Sequence, residues 1–244
     1  MEKQLQEVVE RLRQAAGSNL RSVVLYGSAA SSEYHPKVSD FNVLAVLGAL
    51  DAGALDRLAP VARWWQKQGN PGPVVFTEEE LRRSADMFAI ELLDIKTTGR
   101  VLWGEEVLRA IDVPMRLHRI EVERELAQAL VRLRQHYLAA GQSRRAERRL
   151  LLASVSTFTV LFRHALLALG EPMARDRRQA IDRLATRIGF DPTPFHALLD
   201  VRERRRKPGE IDWSSTFTGY LAGIELVAKE VDRQLAGSAI GAGA

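Results

Sequence analysis

Two short apolar runs, separated by a glycine-serine step and a ten-residue connection, constrain this 244-residue chain more than any other feature. Residues 22–26 and 41–47 are rich in β-branched and other apolar side chains, which is typical of short buried strands. Gly27-Ser28 ends the first run, and Ser39-Asp40-Phe41-Asn42 opens the second. The pattern predicts two strands joined by a connection that has room for one or two helical turns.

Helices and strands alternate through the rest of the first half. Apolar residues at helical spacing predict helices over residues 5–16, 55–65, 81–86 and 90–97, and shorter apolar runs predict strands at 73–76 and 100–103. Thr77 and Glu80 have the spacing of a capping box, in which each side chain satisfies a free backbone N–H of the other residue. This alternation predicts an α/β domain over residues 1–112.

After Asp112-Val113-Pro114 only helical patterns remain. They predict an all-α helical bundle over residues 113–236 and a flexible tail over 237–244. Residues 150–169 are apolar almost all round and long enough to span a membrane, but they include Arg163 and His164. Since a charge is costly inside a bilayer, we interpret this segment as the buried central helix of a soluble bundle and expect no membrane association.

Composition and charge narrow the classes of function. The chain has no cysteine, which excludes disulfides and thiolate chemistry. Its first 21 residues lack the apolar core of a secretory signal, so a cytoplasmic location is expected. Up to Asp112 there are 13 basic and 16 acidic residues, and beyond it 22 and 15. The arginine clusters of the second half favour phosphate-bearing partners, nucleic acid among them, although solvated helix faces explain them equally well.

The residues around the first two strands form the candidate site. Alternate residues of a strand point to the same face, so Asp40 and Asn42 can reach one ligand together. Glycine at 27 lets the backbone approach a phosphate closely, and the Ser28 hydroxyl with neighbouring amides can bind its oxygens. Ser39 belongs to the same phosphate-binding set.

This arrangement resembles the nucleotidyltransferase superfamily, which includes DNA polymerase beta and kanamycin nucleotidyltransferase. Residues 23–47 and 88–96 are also similar to uncharacterised bacterial proteins with a nucleotidyltransferase domain. The resemblance implies a small mixed sheet, followed by the helical bundle. It also implies transfer of a nucleoside monophosphate from a nucleoside triphosphate to an acceptor, assisted by two Mg²⁺ ions held by three carboxylates.

The carboxylate set departs from that family. Asp40 matches the first metal ligand, but Asn42 stands at the second position and the third predicted strand contains no acid. We therefore expect a protein that binds a nucleoside triphosphate with weakly held Mg²⁺ and whose transfer activity is weak or lost. Gly27, Ser28 and Ser39 would hold the phosphates, with Asp40 and Asn42 as the catalytic remnant, in a cleft beside the helical half.

Several alternatives stay open at this point. Gly27-Ser28 could be a plain turn that Asp40 or Asn42 caps. Glu91 and Asp94 could replace the missing carboxylates, although surface or arginine-pairing roles are more common for such residues. The scaffold could bind a nucleotide or a partner protein without catalysis, or the helical half could bind nucleic acid. The histidines show no ligand-like spacing, which favours packing or surface roles.

Overall fold

The computed structural model describes residues 2–30, 40–141 and 143–240, with side chains described to residue 236. Ser39 and most of the connection after Gly27-Ser28 lie outside the described residues. The chain divides into two compact units, Met1–Pro114 and Met115–Ala244.

The first unit holds four strands and four helices within the described residues. In chain order they are α1 (Glu2–Ala16), β1 (Leu20–Tyr26), β2 (Asn42–Leu47), α2 (Ala52–Lys67), β3 (Val74–Thr77), α3 (Glu78–Arg83), α4 (Ala89–Thr98) and β4 (Arg100–Gly104). The strands form one sheet in the order β3-β2-β1-β4. Strand β1 pairs antiparallel with β2 and with β4, whereas β2 and β3 are parallel. The sheet is therefore mixed, as predicted.

The two faces of this sheet are buried against different helices. Val23, Leu25 and Val43 point to one face and belong to a core that includes residues of α1 and α2. Val24, Leu44 and Val46 point to the other face and pack with residues of α3 and α4. Because both faces are covered, the central strands carry unbroken apolar runs, which is why they could be located from sequence.

The second unit contains only helices in its described part. They are α5 (Met115–Ala140), α6 (Arg144–Ala168), α7 (Arg177–Ile188), α8 (Thr193–Arg202) and α9 (Trp213–Ile240). Helix α9 continues to Ile240, four residues into the segment 237–244 for which a flexible tail was predicted. Alanine and serine at the end of this segment are compatible with a helix, and no proline stops it.

Helix α6 packs against each of the other four helices of this unit. By length and composition alone α6 could cross a membrane, yet 56% of its most apolar window is buried inside the protein. Phe158 and Phe162 on α6 lie against a group of rings formed by Phe195, Tyr220 and Phe190. The apolar surface of α6 is thus used by the core of a helical bundle.

Two buried histidines meet between α5 and α6. His118 Nε2 lies 3.0 Å from His164 Nδ1, and both residues are fully buried. Burial, followed by the charges of His164 and Arg119, lowers the pKa of His118 to about 4. The packing role favoured by the sequence fits both residues, but their contact could not be predicted, because helix packing brings together residues 46 positions apart.

Candidate functional site

The candidate site begins where β1 ends. Gly27 has a φ of +76°, in the left-handed region that glycine adopts without strain. It opens a tight 3₁₀ turn, Gly27–Ala29, which the Ala30 N–H closes by donating to the Gly27 carbonyl over 3.0 Å. The strand therefore stops here and the chain turns sharply, with Ser28 in the middle of the turn.

Asn42 lies directly on this glycine. It is the first residue of β2 and pairs in register with Tyr26, the last residue of β1. A Cβ atom placed on Gly27 would lie only 2.8 Å from the Asn42 side-chain nitrogen. The carboxamide thus occupies the space that a larger residue at position 27 would need, and the structure places Gly27 and Asn42 side by side.

Asp40 is exposed and lies just outside the strand, two residues before Asn42. Between them, the buried Phe41 joins the core on the α1 and α2 side of the sheet. The Phe41 N–H donates to the Asn70 side-chain oxygen over 3.0 Å. This bond ties the residue next to Asp40 to the turn that follows α2.

Asn70 was not identified as a site residue from the sequence. It is buried, and its side-chain nitrogen has no hydrogen-bond partner among the described residues. The only signal was its place in Gly69-Asn70-Pro71-Gly72, which predicts a turn and nothing more. In the structure Asn70 is a positioning residue for the segment that carries Asp40.

Tyr26 was missed as well. It packs on the face that includes Val24 and Leu44, opposite Asn42 in the strand register, and burial raises the pKa of its hydroxyl. Its aromatic ring therefore flanks the Asn42 side of the site. A tyrosine ending an apolar run is too common a feature to have indicated this role.

No acid of β3 replaces the missing carboxylates. Phe76 packs on the same face as Leu44, so alternation places Val74 on that face too, in register with Leu44. Val74 is 39% exposed, and no carboxylate stands on this strand.

The glutamates that follow β3 have local roles. The Thr77 N–H donates to Glu80 over 2.7 Å, and the Glu80 N–H donates back to the Thr77 hydroxyl over 3.1 Å. The Thr77 backbone N–H and hydroxyl both donate to the Glu80 carboxylate, and these two hydrogen bonds lower the pKa of Glu80. Glu78 pairs with Arg82, and Glu79 with Arg83, one helical turn further along α3. The capping box is as the sequence predicts, and all three acids serve the helix.

Helix α4 is the element that packs against both β1 and the Gly27–Ala29 turn. It carries Glu91, which is exposed, and Asp94, which is half-buried. Across residues 2–30, 40–141 and 143–240, no three acidic or histidine side chains are grouped closely enough to hold a metal ion. Asp40, Glu91 and Asp94 therefore do not form a substitute for the three-carboxylate set.

The groups that Asp40 and Asn42 offer decide which metal arrangement this site can hold. One exposed carboxylate and one carboxamide do not fit the two-metal arrangement, which needs three carboxylates. They do fit a site in which a nucleotide supplies phosphate oxygens to a single Mg²⁺, because Mg²⁺ uses one or two protein carboxylates in such sites. The turn and the carboxamide add hydrogen-bond donors for an anion.

No protein-family model matches the chain, and no curated protein matches it either. Its structure, however, has the same fold as a solved adenyltransferase. It is similar to the spectinomycin adenyltransferase AAD(9) from Enterococcus faecialis, crystallised with ATP and spectinomycin, with a TM-score of 0.56 at 13% identity. This match covers 97% of this chain and 99% of AAD(9).

Two further matches are toxin-antitoxin structures, the MntA-HpeT mutant D39ED41E and one with AMP-PNP. Their identities are 17% and 19%, and they cover 42% and 41% of this chain and 74% of each matched chain. Their TM-scores of 0.30 are too low to add to the assignment. The fold of the chain is thus established by the mixed sheet with its helical second half, and by AAD(9).

Proposed function

We propose that the first unit binds a nucleoside triphosphate at the Gly27–Ala29 turn, and that nucleotidyl transfer from it is weak or lost. The observation that carries this proposal is the carboxamide of Asn42, seated on Gly27 where the nucleotidyltransferase resemblance places the second metal-binding carboxylate. Gly27, Ser28 and Ser39 would contact the phosphates, and Asp40 would hold the Mg²⁺ that accompanies them. Ser39 is included in this set on the basis of the sequence alone, because it lies outside the described residues.

The loss of charge at position 42 explains why catalysis would suffer. At an effective dielectric of about 20, unit charges about 4 Å apart attract by about 4 kcal/mol, and a divalent ion doubles this as an upper bound. A carboxamide keeps a carbonyl oxygen but removes that charge. Ligand binding loses less than catalysis does, because nucleotide phosphates supply their own metal ligands whereas the transition state depends on the protein carboxylates.

The same carboxamide favours direct contact with an anion. Its NH₂ group donates hydrogen bonds, which a carboxylate cannot do when ionised. A phosphate oxygen near the turn would meet backbone N–H groups and this side chain without an intervening metal ion. The AAD(9) crystal contains ATP, which makes ATP the first nucleotide to test for this chain.

The test is calorimetric titration of the purified chain with each of the four ribonucleoside triphosphates, with and without Mg²⁺. We expect micromolar binding that Asp40→Ala weakens at least tenfold in the presence of Mg²⁺. Asn42→Asp should tighten binding with Mg²⁺ and weaken it without, because the new carboxylate attracts the metal ion and repels bare phosphates. The matched control is Asp56→Ala, which removes an exposed acid of α2.

Absence of binding by the native chain and by Asn42→Asp would overturn the proposal. The second candidate, a scaffold that binds a partner protein without a nucleotide, would then be favoured. A strand that carries a metal ligand would have an acid on this face, whereas β3 has the exposed apolar side chain of Val74 there. Radiolabelled transfer assays on Asn42→Asp would show whether one restored carboxylate restores any reaction.

A further inference from the structure

The first two turns of α6 concentrate unpaired positive charge. Arg144, Arg145, Arg148 and Arg149 are exposed, and none has a hydrogen-bond or ion-pair partner among the described residues. A helix N-terminus carries a partial positive charge, so cations there are unfavourable, and like charges four residues apart repel one another. These arginines therefore oppose the local stability of the helix that carries them.

A second group of arginines lies against the same helix. Arg202, the last residue of α8, donates through Nη1 to the Leu152 carbonyl of α6 over 2.8 Å. Leu152 is only three residues beyond Arg149. Burial and then the charge of Arg177, the first residue of α7, lower the pKa of Arg202. Two guanidinium groups are thus held near each other, beside the arginine-rich part of α6.

The loop after α8 extends this charge. Arg204 has a φ of +60°, a left-handed conformation that costs a residue with a Cβ about 1 kcal/mol or more. Neither Arg204 nor Lys207 has an acidic partner among residues 143–236, although Arg205 and Arg206 pair with Glu203 and Glu210. The Trp213 indole N–H donates to the Pro208 carbonyl over 3.2 Å and helps to hold the loop.

We define the arginine face by six arginines of α6, α8 and the loop after α8 that have no acidic partner among the described residues: Arg144, Arg145, Arg148, Arg149, Arg202 and Arg204. Guanidinium groups bind phosphate oxygens through two parallel hydrogen bonds and are weakly hydrated, so they suit a phosphate-bearing partner. Membrane binding would need apolar side chains beside the basic ones. None of the described large apolar residues that are exposed lies between residues 143 and 225.

Among the described residues, the arginine face also offers no exposed aromatic ring on which unstacked bases could stack. Trp213 is partly buried and its N–H is already bonded within the loop. Proteins that hold single strands stack bases on exposed aromatic rings, whereas a double helix presents mainly its phosphates. We propose that the arginine face binds the phosphate backbone of a double-stranded nucleic acid without reading its sequence.

The experiment measures binding of a fluorescein-labelled 24-base-pair RNA or DNA duplex to the full chain by anisotropy, over a range of salt concentrations. The test variant changes four residues together: Arg144→Gln, Arg145→Gln, Arg148→Gln and Arg149→Gln. The control variant removes the same net charge from exposed positions of the first unit: Lys3→Gln, Arg57→Gln, Arg63→Gln and Lys67→Gln. Melting curves check that both variants are folded.

We expect the native chain to bind duplexes of unrelated sequence equally. The test variant should bind at least tenfold more weakly at 0.1 M salt, and its log K against log salt should be less steep by about 3, since each lost phosphate contact removes about 0.9 from the slope. The control variant should keep most of the affinity. Equal losses in both variants would overturn the proposal, as would the absence of duplex binding by the native chain.

Discussion

At the scale of single residues, Gly27 and Asn42 constrain each other. Gly27 is held at a positive φ, and the Asn42 nitrogen fills the space beside its α carbon. The positive φ and the contact with Asn42 each disfavour a side chain at position 27, and their contributions to the free energy of unfolding can be measured separately. Backbone strain depends only on φ, whereas the contact disappears when Asn42 is shortened.

The pair makes a first prediction. Gly27→Ala should lower the free energy of unfolding by about 2 to 3 kcal/mol, of which the left-handed conformation accounts for about 1 kcal/mol. In the Asn42→Ala background the cost should fall to about 1 kcal/mol, giving a coupling of at least about 1 kcal/mol in a double-mutant cycle. Urea unfolding followed by circular dichroism measures all four free energies.

The control for this cycle is Gly69→Ala. Gly69 has a φ of +86°, but nothing lies within 4 Å of a Cβ placed there. Its substitution should cost only the conformational strain and should be independent of Asn42. If Gly27→Ala costs no more than Gly69→Ala, the Asn42 side chain moves aside without cost and the two residues do not constrain each other.

At the scale of secondary structure, α6 combines a buried apolar core segment with an N-terminus of unfavourable charge. Ser143 caps the helix through its hydroxyl, which accepts the Ala146 N–H over 3.4 Å. The cap satisfies a backbone group but does not offset the repulsion among the arginines that follow. The helix is held by packing of its apolar part against four other helices.

A second prediction belongs to this helix. Arg145→Glu should raise the free energy of unfolding by about 0.5 to 1 kcal/mol at low salt, because an acid suits the helix N-terminus and pairs with Arg149 one turn on. Arg145→Gln should give about half of this gain. Thermal unfolding at low salt and at 1 M NaCl measures the effect, which should shrink at high salt where charges are screened beyond about 3 Å.

A loss of stability in Arg145→Glu would mean that this arginine makes a stabilising contact in the folded chain. A higher free energy of unfolding in Arg145→Glu, together with weaker duplex binding by the arginine-to-glutamine variant, would show that these arginines favour binding and lower stability. Such trade-offs are common where a charged site serves a ligand.

At the scale of the whole molecule, the buried His118–His164 pair makes stability depend on pH. In the unfolded chain the pKa of His118 has its ordinary value of 6.5, whereas in the folded chain this pKa is lowered to about 4. The unfolded state therefore binds more protons between these values, and stability falls as the pH drops through them. Above pH 6.5 both states are neutral at this residue and its contribution is fully present.

The free energy of unfolding should fall by about 2 to 3 kcal/mol between pH 7 and pH 4 through His118 alone. His118→Gln should flatten this dependence, whereas His136→Gln, at an exposed position of α5, should leave it unchanged. Urea unfolding at pH 7, 6, 5 and 4 is the measurement. A parallel pH dependence in the His118→Gln variant would contradict the role given to the buried pair.

Features that depend on local residue patterns and on residue types could be predicted from the amino-acid sequence. The four strands, the capping box at Thr77, the all-helical second half and the mixed sheet are all found within a few residues of their predicted places. The missing carboxylates at Asn42 and on β3 needed only the sequence and a resemblance. Strand alternation and helical spacing are short-range signals, so one chain is enough to read them.

Contacts between residues far apart in the chain could not be predicted in this way and are seen only in the folded protein. The Phe41–Asn70 bond, the His118–His164 pair and the Arg202–Leu152 bond join residues 29, 46 and 50 positions apart. Each depends on how helices and turns pack, which no local periodicity encodes. For this reason the sequence indicated only a turn at Asn70 and only a packing or surface role for His118. The sequence located the site through its strands, while its supports were set by the packing around it.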